Sequence, residues 1–449
     1  MIAFIPVFLN NMAYAAFCDR TVFEEARQAQ QSGDLPLAVS IYRDCLAAQQ
    51  FRDAAIENIT QILVAQKRYQ AAVEILSSYL KDQNPFDHAA RIKLARIFQQ
   101  QKNSEEALKH ADVVLQIKPD FVPAREIKGR ACLDLGKLKD AAQNLSHVIE
   151  RSPPGAAETI SARALRARAF LGLGQKEQAA ADLNAVLAAD PRREEIALML
   201  AELHVAEGRF NEAHAVLRSA IKGSPASVEL HDKSGDIQIK LKQPRFAKDL
   251  FEEALRLKPD AVEIRLKLGK LFVELDEPKK AEDEFQRILA MKPGYDPAQF
   301  NLIKILIAQN QLEKAGPVMK AWFNRNPEKQ WLAVSYAKLL TTVKQLDQAE
   351  QVIKTHLKAS GGGSVDSLVL LAVIKGKQGA SKDAVKLFAD AERKFPQSPE
   401  VKLVMGEYFR EIGALDKAIA KLKEVPTKDK VSFRRATDII KQIEADRRL

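Results

Sequence analysis

Three cysteines and seven histidines are the side chains of this 449-residue chain best suited to holding a metal or carrying redox chemistry. A zinc site needs several of them at short spacing. None of His88, His110, His147, His204, His214, His231 and His356 pairs with a nearby cysteine in that way. No glycine-rich phosphate loop follows a strand pattern, and no nucleophile, base and orienting acid form a set. Carboxylates are plentiful, 59 Asp and Glu against 69 Lys and Arg, but they interleave with the bases as on a solvated helical face. The reading is therefore non-enzymatic, with no cofactor and no metal. What remains is a cysteine pair, Cys18 and Cys45, and an aromatic cluster in which Trp322 and Trp331 lie beside Phe323 and close to Phe300 and Tyr336.

The elements that must position these groups are written in a repeat. Alanines recur at Ala38, Ala72, Ala107, Ala141, Ala179, Ala213, Ala247, Ala281, Ala315, Ala349, Ala384 and Ala418, 34 residues apart except for two gaps of 35 and one of 38. Twelve residues before most of them stands another small residue, such as Ala95, Gly129, Ala201 or Gly269, and twelve after stands a proline, such as Pro119, Pro225 or Pro327. Two antiparallel helices approach closely only where side chains are small, glycines such as Gly136 and Gly208 accept the left-handed turn between them, and proline ends the second helix. Each unit reads as helix, turn, helix, stop, and a period of this length means a solenoid.

At these residues the chain resembles the tetratricopeptide repeat family, over roughly residues 19 to 432. The resemblance implies an all-α fold, an α-solenoid in which about twelve helix-turn-helix repeats wind as a right-handed superhelix. The tail 433–449, with Ala436, Ile439, Ile440 and Ile443 at helical spacing, reads as a capping helix. Three irregularities are expected to show. The long gap at RSPPGAAETISARAL lengthens a loop or the first helix of the fifth repeat, Ser360 to Ser364 with its three glycines makes a loose loop or hinge, and Pro317 kinks or delays its helix.

The net charge of +10 raises the question of acidic partners, but there is no basic run and no nucleic-acid motif, which argues against nucleic acid. Residues 1–16 join an apolar run to small residues, like the core and cleavage end of a signal peptide without its basic front. No stretch is long and apolar enough to cross a bilayer. Export to the periplasm or envelope is expected, with a cytoplasmic location as the alternative. Cys18 stands just ahead of the first helix and Cys45 near the end of its antiparallel partner, so the two ends are neighbours and a disulfide fits an oxidising compartment. Cys132 takes a position held by Phe98, Phe170 and Phe272 elsewhere, a buried thiol.

The family resemblance also implies that the first helix of each pair lines the concave side where partners dock. Eleven residues before each alanine that face carries Arg96, Arg130 and Arg168, then Glu202 and Asp236, then Lys270, Lys304 and Lys338. Four residues earlier stand mostly apolar groups, among them Ile92, Leu198, Phe300, Val334, Val369 and Leu403. Phe300, Lys304, Trp331 and Lys338 make an aromatic patch with basic edges, and Arg96, Arg130 and Arg168 a second candidate zone. The function expected is a protein-binding scaffold of the bacterial cell envelope that holds a peptide or helix of another protein. The alternatives are a periplasmic scaffold for polysaccharide export, with Trp331 and Tyr336 stacking on sugars, and a regulatory or substrate-presenting subunit of an enzyme on a separate chain.

Overall fold

The computed structural model describes residues 18–82 and 84–447; the leader-like run 1–16 lies outside them. The described residues form 25 α-helices in tandem and no strand, in two units divided after Lys242. The first unit holds α1 Arg20–Ser32, α2 Leu35–Asp44, α3 Arg52–Ala65, α4 Tyr69–Asp82, α5 His88–Gln100, α6 Ser104–Ile117 and α7 Val122–Asp134. It continues with α8 Leu138–Arg151, α9 Ala157–Gly172, α10 Lys176–Ala189, α11 Glu194–Ala206, α12 Phe210–Gly223 and α13 Val228–Lys240. The second unit holds α14 Pro244–Leu257, α15 Val262–Glu274, α16 Pro278–Met291, α17 Asp296–Ala308, α18 Leu312–Phe323 and α19 Gln330–Thr342. Its remaining helices are α20 Leu346–Ala359, α21 Val365–Lys377, α22 Ser381–Lys394, α23 Pro399–Glu411, α24 Leu415–Lys423 and α25 Lys430–Asp446.

All twelve repeat alanines are fully buried. The partner position shows why small residues are needed there. A Cβ added to Gly129, Gly269 or Gly406 would meet Leu145, Phe285 or Leu422 at 2.7, 2.6 and 2.6 Å. Each of those large residues stands four after a repeat alanine, so one helix offers a hollow and the other fills it.

Between the two helices of every repeat one residue, five before the alanine, has a left-handed backbone. Glycine supplies it at Gly33, Gly136, Gly174, Gly208, Gly379 and Gly413; Lys67, Lys102, Lys242, Asp276, Asn310 and Lys344 adopt it with φ of 57–60°. The repeat geometry thus imposes on side-chain-bearing residues a conformation they ordinarily avoid. The terminal prolines take part in a second device. Their carbonyls, freed from the helix ladder, accept hydrogen bonds from the side chain six residues on: Arg91 to Pro85 at 2.6 Å, Arg125 to Pro119 at 2.9 Å, Thr159 to Pro153 at 2.7 Å, Arg265 to Pro259 at 2.6 Å and Gln299 to Pro293 at 3.0 Å.

The irregular stretches resolve simply. α9 has 16 residues where α7 and α11 have 13, so most of the insertion enters the helix. Pro317 neither delays nor ends α18, which starts at Leu312 in register with its counterparts and runs through the proline to Phe323. In the glycine loop Gly361 and Gly362 take positive φ, and a Cβ on Gly363 would collide with Leu357, so the glycines there permit a tight turn and a close approach. The C-terminal helix begins at Lys430, three residues before the sequence reading. The Asp429 carboxylate caps it by accepting from the Val431 and Ser432 amides, and Ala436, Ile439 and Ile443 are buried against the last repeat. At the other end, Cys18 and Cys45 are disulfide-bonded with Cα atoms 5.0 Å apart, Cys45 opening a short 3-10 turn after α2.

Candidate partner-binding surface

In the second unit α17 presents Phe300 and Lys304 one turn apart, and α19 presents Trp331 and Lys338 two turns apart. The aromatic rings meet across the two helices. Phe300 and Trp331 lie 4.7 Å apart, tilted by 53°, and remain 36% and 43% exposed. Behind them Trp322 of α18 is 4% exposed, with its ring 5.9 Å from Trp331. Its indole N–H donates to Asp296 Oδ1 at 2.7 Å. The ammonium of Lys329 pairs with the other oxygen of that carboxylate and stands 5.4 Å over the Trp322 ring. Trp322 is thus a buried, hydrogen-bonded support that holds Trp331 in place. Lys304 Nζ sits 5.5 Å over Phe300, completing a surface of two rings with a cation on its edge. Tyr336 does not join it; it is 5% exposed and packs on Phe323.

The basic edge ends where α21 and α23 begin. The Glu400 carboxyl is pushed above the usual carboxylate range, first by burial and then by the charge of Asp366 beside it, while Lys338 partly offsets the effect. Asp366 accepts a hydrogen bond from the Gln330 side chain at 3.1 Å.

The expected apolar floor is largely closed. Ile92, Val334, Val369 and Leu403 are buried between helices, Ala164, Leu198 and Leu266 are half-buried, and Phe300 alone of the apolar residues in that row is exposed. The accessible aliphatic row lies instead eight residues before the repeat alanine, with Val273 and Ile307 exposed in the second unit and Ile239 in the first. Leu133, Leu171 and Val205 hold the same position, half-buried. From the fourth to the ninth repeat that row was legible in the sequence as an aliphatic series at one register, and reading only two rows missed it.

The first unit carries the arginines. Arg96 is exposed near Glu57, whose carboxyl is held low chiefly by its hydrogen bond from Lys93. Arg130 stands 3.7 Å from Glu126 on its own helix. Arg168 is exposed and forms no ion pair with a described residue. Arg130 and Arg168 line one cleft of about 810 Å³ with Lys102, Asp134 and Leu165; Arg96 is not part of it. Glu202, in the acidic stretch, is paired with Lys233 at 3.2 Å.

Among the described residues no three of His, Cys, Asp and Glu come together as metal ligands, and no helix is long and apolar enough to cross a membrane. Burial depresses the imidazoles of His110 and His204, and burial raises the Cys132 thiol.

Two tetratricopeptide repeat profiles match the chain, one at residues 58–120, 233–296 and 369–430 and the other at 170–233, together more than half of its length. The chain belongs to the tetratricopeptide repeat family. Proteins built from tetratricopeptide repeats are protein-interaction scaffolds that bind protein partners. No curated protein matches the chain significantly. Solved tetratricopeptide repeat structures do. One from Parabacteroides merdae is 19% identical over 56% of this chain and 98% of its own, with a TM-score of 0.39. The C-terminal part of another from Cytophaga hutchinsonii is 15% identical over 54% and 97%, at 0.48. Yeast Tom70 is 15% identical over 95% and 96%, at 0.33.

Proposed function

We propose that this chain is a non-enzymatic protein-binding scaffold of the cell envelope, and that the face formed by Phe300, Lys304, Trp331 and Lys338 holds a segment of another protein. The observation that carries the reading is Trp331: a large indole, 43% exposed, tilted against Phe300 and braced from behind by a buried tryptophan. An exposed aromatic that is already rigid loses little freedom on binding and makes an interface anchor. The lysines at its edge favour an acidic or amphipathic partner. The Arg130–Arg168 cleft is a secondary contact zone of the same scaffold. Support for the envelope comes from the Cys18–Cys45 bond, which an oxidising compartment sustains, and from the apolar opening of the sequence.

The test is capture of a partner from envelope extract by the immobilised chain. Trp331→Ala combined with Lys338→Glu is expected to abolish capture while the helical circular-dichroism spectrum is unchanged. Capture by the double variant at wild-type level would remove the site from this face.

A further inference from the structure

Six bases and two acids fall within residues 421–435, KLKEVPTKDKVSFRR, where α24 ends and α25 begins, so this stretch carries +4 of the chain's net +10. Apolar residues interrupt it, and it shows no continuous basic run. Two of the bases hold the cap in place: Arg435 pairs with Glu407 of α23 at 2.7 Å, and Lys421 with Glu392 of α22 at 2.8 Å and with Glu424 at 3.2 Å. Farther along, Arg447 pairs with Asp416 of α24 at 2.7 Å, and Arg410 of α23 donates to Gln442 at 2.8 Å. The other four bases of the stretch, Lys423, Lys428, Lys430 and Arg434, are exposed and form no ion pair with a described residue. Both of its acids are engaged, Glu424 by Lys421 and Asp429 by the Val431 and Ser432 amides and the Ser432 hydroxyl.

Apolar side chains protrude among these cations. Val431, 80% exposed, is the most exposed large hydrophobic residue of the described chain, and Phe433 is exposed two residues on. Lys430, Val431, Arg434, Arg435 and Ile439 line one hollow of about 570 Å³, with Asp438 the acid among its lining residues. A nucleic acid or an acidic polymer would meet the cations but has no apolar layer for Val431 and Phe433. An acidic protein segment would need a concave seat for its anchor, and Val431 stands proud of one. What matches the patch is a surface that is anionic outside and apolar just beneath, the order of groups at the face of an anionic bilayer.

We propose that the C-terminal cap docks on the headgroups of an anionic phospholipid bilayer. Lys423, Lys428, Lys430 and Arg434 face lipid phosphates, and Val431 and Phe433 enter the boundary between headgroups and acyl chains. Each cation near such a surface strengthens binding about fivefold, so four of them with two apolar side chains make a peripheral, reversible contact. The patch lies on other helices than the Phe300–Trp331 face, and the proposal stands or falls independently of that site.

Cosedimentation of the full chain with vesicles tests this, using equal parts of phosphatidylcholine and phosphatidylglycerol against phosphatidylcholine alone. Binding to the anionic vesicles is expected to be at least about tenfold tighter and to weaken as salt is raised. Lys430→Glu combined with Arg434→Glu is expected to weaken it by about tenfold or more. Val431→Asp is expected to weaken it by about fivefold or more with the helical circular-dichroism spectrum unchanged, since an acid in the first turn of a helix is favourable. Lys358→Glu combined with Lys382→Glu, the same change of charge at exposed lysines elsewhere in the second unit, is expected to bind as wild type. Equal binding to the neutral vesicles, no binding to either, indifference to the cap substitutions, or an equal loss in the Lys358, Lys382 variant overturns the proposal. Displacement from the vesicles by glycerol 3-phosphate or by a hexaglutamate peptide, at concentrations matching the accessible lipid phosphate, overturns it as well and makes the patch a small-anion or acidic-protein site.

Discussion

The arginine zone of the first unit and the lysine zone of the second have the same charge at the same register, yet their surroundings differ. Arg130 has Glu126 on its own helix and Arg96 stands near Glu57, Arg168 alone of the three forms no ion pair with a described residue, and no exposed aromatic pair accompanies them. Lys270 and Lys304 have no acid partner among the described residues, and Lys304 borders two exposed rings fixed by a third. A row of like charges marks a surface. Whether it makes an anchor depends on whether the charges are already compensated and whether a rigid apolar group stands beside them.

The two units differ most strongly through the covalent bond. Cys18 and Cys45 close a loop of 27 residues at the head of the arginine-bearing unit, a constraint worth about 3 kcal/mol. Thermal melts with and without reductant are expected to show an early transition, reproduced by Cys45→Ser, that leaves the lysine-bearing unit's helices in place. Two free thiols in protein made in an oxidising compartment would contradict this.

Next in size is the packing under the lysine row. Leucine at Gly269 must displace the fully buried Phe285, at a cost of about 2 kcal/mol or more, whereas Lys270→Leu, one residue on and exposed, is expected to change stability by less than about 0.5 kcal/mol. Equal melting temperatures for the two would refute the assigned register. A gain is expected at the turns. Lys344 has a φ of 60°, and Lys344→Gly should raise stability by about 1 kcal/mol. The same substitution at Lys102 tests the effect in the other unit.

The smallest effect concerns pH. The Glu400 carboxyl is raised in the folded state by burial and by Asp366, so its contribution is fully present below the ordinary carboxylate range and is lost as pH rises through the folded value. Glu400→Gln should therefore match wild type in acid and melt slightly higher near neutral pH. A melting difference that shrinks as pH rises would reverse the sign.

Much of the fold was legible because each repeat states its own rule. Ala213, Gly269 and Pro259 mark the close approach, the hollow and the stop. Six of the twelve left-handed turns were hidden, since Lys67 or Asn310 there carries no glycine signal and takes its φ from the packing of the helices around it. Of the two effects expected of Pro317 the late start does not occur: the register of α18 between its neighbours sets its first residue. At the site, Phe300, Trp331 and the lysines followed from register, while the role of Trp322 as a support depended on its bond to Asp296, a contact across 26 residues that no periodicity reveals. Tyr336, readable as part of the patch, turned out to face the core.

The measurement that bears most directly on the account is the affinity of one captured partner for two charge-altered variants of the full chain, compared with wild type. Trp331→Ala with Lys338→Glu, in the lysine zone, is expected to lose about 2 kcal/mol or more of binding. Arg130→Glu with Arg168→Glu, in the arginine zone, is expected to lose less than about 1 kcal/mol, chiefly through slower association. The opposite ranking, with the arginine variant the more damaging, would contradict the account and move the anchor to the Arg130–Arg168 cleft.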